Sequence, residues 1–135
     1  MTLEEIQQAL HDIATVRMPT FPDDLPPKEK IEALEDHLLE TARHRQTLCQ
    51  AQLILEDSFE AIDEEWLSLE GWEVNLRGKP KSQGDIDEAK RVANSDLFFS
   101  RRRCLKLMRQ VKNQITRMEK DDAAASRAYT MLTGS

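Results

Sequence analysis

One stretch constrains this chain more than any other: Lys28 to Arg77, where apolar residues recur alternately three and four apart. Ile31, Leu34, Leu38, Leu48, Leu55, Phe59, Ile62, Trp66 and Leu69 form the line, with polar Thr41, Arg45 and Gln52 at its middle positions. Such spacing keeps one stripe of a helix facing a partner along its whole length. About fifty helical residues at 1.5 Å each would run roughly 70 Å, so the helix needs an equally long partner. The sequence predicts that partner after residue 84. Ile86, Ala89, Ala93, Leu97, Cys104, Met108, Val111, Ile115 and Met118 repeat the pattern, and Phe98 and Leu105 widen it. The stripe resumes beyond Asp122 at Ala125, Tyr129 and Leu132, which leaves two readings: one helix to about residue 132, or a break at Asp121–Asp122.

The connections fit that plan. Thr2 and Glu5 make a capping box ahead of Ile6, Leu10, Ile13 and Val16, predicting a first helix that ends near residue 17. Prolines 19, 22, 26 and 27 deny helix to residues 18–27, an extended linker that Phe21 and Leu25 would pin to the bundle. The long helix is expected over 28–77, with Gly71 a weak point near Trp72. Residues 78–84 form the turn, and Asp85 with Glu88 would cap a final helix over 85–132. Long helices joined by a short turn fold back antiparallel. The expectation is one all-α domain over residues 1–135: an elongated antiparallel helical hairpin of two long helices plus a short N-terminal helix across its open end.

Composition enters as exclusion. With 4 Gly and 5 Pro, and 39% hydrophobic against 33% charged residues, the chain lacks the turn density of a β fold. No run approaches the ~18 apolar residues of a membrane span, and the opening MTLEEIQQALHDI does not read as a signal peptide. A soluble cytoplasmic protein with no membrane partner is expected. Cys49 and Cys104, lone cysteines on helices, read as small buried apolar residues of a reducing compartment.

Charge is divided between the two long helices. Residues 1–76 hold 18 acids and 5 bases, residues 77–120 hold 13 bases and 5 acids, and no base lies between Gln46 and Leu76. If the hairpin turns near residue 79, position i faces about 158 − i. Glu56 and Asp57 would then meet Arg101, Arg102 and Arg103, and Arg117 would meet Glu40 or its neighbours. Charge pairing inside the hairpin is the leading reading; exposed pairs stabilise little, about 0.2–1 kcal/mol each, yet they fix orientation. The competing reading gives Arg101, Arg102, Arg103, Lys106, Arg109 and Lys112 to phosphates. A net charge of −6 and the acidic helix alongside weigh against it.

Catalytic and metal chemistry find little support. His37, Glu40 and His44 share one side of the long helix, but a metal site would need a further ligand from elsewhere. The acidic run from Glu56 to Glu73 lacks the Glu-x-x-His pairs of a di-metal bundle and reads as a solvated face. There is no phosphate-cradling glycine loop and no nucleophile with a base. No enzyme, metal or cofactor is expected.

The segment DIDEAKRVANSDL and the basic, apolar-striped helix ending KNQITRMEKDDAAASRAY resemble small helical-hairpin accessory proteins of bacteriophages. The likeness covers roughly residues 46–120, leaves residues 1–30 outside, and transfers no functional residue. It implies a non-enzymatic protein that acts by binding, in some cases beside recombination machinery and in others against host proteins. The sequence therefore points to a self-associating protein–protein interaction or regulatory module, with a nucleic-acid-associated accessory protein as the alternative. A homodimer is expected, because a second apolar line (Leu39, Ala42, Cys49, Leu53) and a second set (Phe98, Phe99, Leu105) exceed what one hairpin seals. Leu39, Leu53, Trp72, Phe98, Phe99 and Leu105 are the expected interface residues.

Overall fold

Helix ends follow the side chains that can satisfy them. In the computed structural model, which describes residues 1–69 and 82–134, the helices are α1 (Leu3–Ala14), α2 (Pro27–Leu67), α3 (Gln83–Ala93) and α4 (Ser95–Thr133). No strand occurs among the described residues. The fold is all-α, with α2 and α4 packed against each other.

Thr2 caps α1 as expected, its hydroxyl accepting from the Glu5 N–H at 3.1 Å. The helix stops at Ala14 rather than near residue 17. The Thr15 hydroxyl bonds back to the Asp12 carbonyl, and the Arg17 guanidinium takes the Ala14 and Val16 carbonyls. α2 also ends earlier than expected, at Leu67, where Ser68 donates its hydroxyl to the Glu65 carbonyl at 2.8 Å. Gly71, Trp72 and most of the expected turn lie outside the described residues.

After the turn the expected single helix is two. Ser82, not Asp85, is the cap, accepting from the Asp85 N–H at 3.2 Å. α3 then ends at Asn94, which leaves helical geometry (φ −128°, ψ 50°) and turns both its backbone and its side-chain N–H onto the Lys90 carbonyl. An asparagine can trade helical hydrogen bonds for such local ones. The Asn94 carbonyl accepts from Phe98, so the residue that ends α3 also begins α4. No break occurs at Asp121–Asp122, where α4 continues to a positive-φ Gly134 (φ 68°), a stop that favours glycine.

The helices build two units, residues 1–53 with 109–135, and residues 54–108. In the first, α2 and α4 run antiparallel, with Thr41 bonded to Asp122 and Glu35 to Tyr129. Leu34, Leu48, Ala51, Val111, Met118 and Ala125 are buried there. The strict seven-residue recurrence of Leu34, Thr41 and Leu48, and of Val111, Met118 and Ala125, is the signature of left-handed supercoil packing. α1 adds Ile6, Leu10 and Ile13, worth roughly 1.5–3 kcal/mol each on burial.

The position of α1 differs from expectation. Its last carbonyls are held by Arg117, which donates to the oxygens of Ile13 and Val16. Arg117 precedes Tyr129 by twelve residues, roughly 18 Å of helix, so α1 lies beside the middle of α4 and not at the chain ends. Arg117 is thus taken by α1 and by Asp121 at 3.6 Å, and does not meet Glu40.

In the second unit, Leu55, Cys104 and Leu107 are buried, and Trp66 meets Phe98 with ring centroids 5.9 Å apart. Three cations lie over these rings: Lys90 on Trp66 (5.9 Å), Arg91 on Phe98 (6.0 Å) and Arg101 on Phe59 (5.2 Å). The first two tie α3 to the unit, since α3 itself buries no side chain fully.

The register of the two long helices differs from the one a turn at residue 79 would set. Asp63 pairs with Arg101, Trp66 with Phe98 and Glu35 with Tyr129, so residue i faces about 164 − i in each unit, not 158 − i.

Candidate interaction surfaces

In the first unit, the polar positions that seemed to interrupt the seams meet each other. Thr41, 1% exposed, donates its hydroxyl to Asp122 Oδ1 at 2.6 Å. Arg45 Nε stands 3.2 Å from Asp122 Oδ2; the contact is an ion pair whose N–H lies off the hydrogen-bond line. Asp122 therefore continues the packing layer by answering two polar residues of α2. A single-sequence reading sees two unrelated defects, because the match depends on register.

The second apolar line of α2 is turned outward. Leu39 is 56% and Leu53 63% exposed, and Ala42 and Cys49 are exposed between them. Cys49 is thus not the buried residue its context suggested, whereas Cys104 is buried and free. Burial pushes the Cys104 thiol above its ordinary range, against the opposing pull of Arg103. Leu39 also borders a shallow groove with Asp36, Glu40, Arg43 and His44.

His37, Glu40 and His44 do not converge. His37 is buried with its Nε2 unpartnered, while His44 lies 3.4 Å from Glu40 at the surface. No group of three metal-ligating side chains occurs among the described residues.

The six basic residues of α4 divide. In the second unit, Arg101 is engaged by Asp63 at 2.8 Å and by Phe59, and Arg103 is also engaged. Arg102 and Lys106 are exposed, and among the described residues neither has an ion-pair partner. In the first unit, Arg109 and Lys112 are exposed and likewise without one. Glu56 and Asp57, expected opposite Arg101–Arg103, face solvent; Asp63 takes the pairing instead because of the shifted register.

Of the expected interface residues in the second unit, Phe99 is 59% exposed and Leu105 36%. Phe98 is half-buried between Trp66 and Phe99, and Trp72 lies outside the described residues. No helix among the described residues is long and apolar enough to cross a membrane. No protein-family model, curated protein or solved structure matches the chain.

Proposed function

We propose that this chain is a non-catalytic, self-associating interaction module of the cytoplasm, a homodimer that acts by protein–protein contact. One observation carries the reading: an outward line on α2, Leu39, Ala42, Cys49 and Leu53, at steps of three, seven and four residues with exposed Gln46 in the gap. Side chains at those steps share one face of the helix, and such faces are covered when a partner helix lies along them. The resemblance to phage accessory proteins supports a phage or host protein as the eventual target. Light scattering coupled to size exclusion tests the self-association. A mass near twice 15.6 kDa at micromolar concentration is expected, and Leu39→Glu with Leu53→Glu should return it to one chain. A wild-type mass of one chain up to about 100 µM rejects the reading.

A second reading has its own observation, exposed Arg102 and Lys106 in one unit and Arg109 and Lys112 in the other, none with an ion-pair partner among the described residues. These suit the phosphates of a nucleic acid bound by an accessory protein. Salt-sensitive gel retardation that fades when the four are changed to Gln would favour it.

A further inference from the structure

The second unit keeps its opposite charges apart. Its α2 segment turns Glu56, Asp57, Glu60 and Glu64 to solvent, and its α4 segment turns out Arg102 and Lys106 beside exposed Phe99 and Leu105. Among the described residues none of these six charged side chains has an ion-pair partner; the Asp63–Arg101 pair uses less exposed neighbours. Heights along the helices nevertheless match. With residue i level with about 164 − i, Arg102 is level with residue 62, between Glu60 and Glu64. Lys106 is level with residue 58, between Asp57 and Glu60. Two residues span only ~3 Å of helix axis, so each cation stands at the height of two carboxylates while facing a different way.

We propose that this unit docks on its counterpart in a second copy of the chain, α4 of each against α2 of the other, about a two-fold axis parallel to the helices. The proposal rests on the self-association reading and adds to its Leu39–Leu53 strip a second, charged contact. Rotation about such an axis preserves height, so Arg102 and Lys106 of one copy arrive level with Glu56, Glu60 and Glu64 of the other. The match is made twice, once in each direction. Pairing α2 with α2 would instead set carboxylate against carboxylate, which charge complementarity disfavours. Phe99 gives the contact an apolar anchor at the edge of the charged strip.

Two charge-reversed chains test the arrangement: R102E/K106E, acidic on both faces, and E56K/E60K/E64K, basic on both. Each alone should associate roughly tenfold or more weakly than wild type, and an equimolar mixture should recover dimers containing one of each. Native mass spectrometry counts the mixed species, and circular dichroism checks that each chain is helical. Mixed dimers that recover from two chains poorly folded alone also support the contact. Variants as dimeric as wild type overturn this docking and leave self-association standing, as do helical variants that fail to pair when mixed. A monomeric wild type overturns both.

Discussion

In the first unit, half-buried Asp122 sits between two α2 side chains, Thr41 and Arg45; in the second, Arg102 and Lys106 stand in solvent level with carboxylates they do not meet. Both regions are built from the same two helices. A buried polar contact tolerates little slippage, because a shift leaves each group desolvated and unpaired. Exposed charges tolerate slippage well, since water replaces the partner at little cost. The first unit therefore carries its alignment in its interior, while the second holds its alignment with rings and the Asp63–Arg101 pair and turns Glu56, Asp57, Glu60, Glu64, Arg102 and Lys106 outward.

The sharpest way to break that contrast is Asp122→Ala. It takes a charged acceptor from the Thr41 hydroxyl, which keeps only the Leu38 carbonyl at 3.1 Å, and removes the Arg45 counter-charge, so urea denaturation should register a loss of about 1.5–3 kcal/mol. Replacing the whole layer with apolar side chains, T41V with R45M and D122L, should recover much of this. The neutral counterpart outside, R102Q, should change monomer stability by less than about 0.5 kcal/mol. Equal losses from D122A and R102Q would dissolve the distinction between the two units.

Arg117→Gln is expected to rank next, at about 1–2 kcal/mol. Gln114 receives its Nε–H at 2.9 Å, and its terminal nitrogens hold the end of α1. Without it the Ile13 carbonyl keeps the Val16 N–H and the Val16 carbonyl keeps the Arg17 guanidinium, but the hydrogen bonds that tie the end of α1 to α4 are lost. Hydrogen exchange should quicken over α1 while the α2 and α4 amides of the same unit keep their protection. Uniform acceleration would mean that α1 is no separate latch but part of one cooperative block.

The apolar periodicity made the helices legible, because a three-and-four stripe has one geometric use. It also exposed the surplus line at Leu39–Leu53 before any packing was known. Pairing was less accessible. The Thr41–Asp122 contact joins residues 81 apart, and the Arg117 clamp joins residues 104 and 101 apart, so both depend on a register that local pattern leaves open. An error of six in the sum i + j moved Glu56 and Asp57 into the place that belongs to Asp63. Asn94 was a local signal for the break between α3 and α4: Asn-Ser-Asp ahead of an apolar helix is a stop-and-restart sequence.

The smallest expected effect probes both units with one titration. Burial raises the Cys104 thiol in the second unit, opposed by the Arg103 charge. In the first, the Tyr129 hydroxyl donates to Glu35 at 3.1 Å; that bond, then the Glu35 charge and slight desolvation, raise the phenol. In each case folding favours the neutral, protonated form, so the unfolded chain gives up its proton first as pH rises. The stability each group contributes is therefore fully present below its unfolded pKa, about 8.5 for the thiol and 10 for the phenol, and is lost as pH climbs toward the folded value. Denaturation midpoints should hold steady from about pH 7 to 8 and then decline in two stages, the thiol stage first. Cys104→Ala should flatten the first stage while lowering stability by a constant amount through the small cavity it leaves. Tyr129→Phe should flatten only the second. A first stage that survives in Cys104→Ala would assign the early decline to some other group and remove the thiol as a reporter of packing in the second unit.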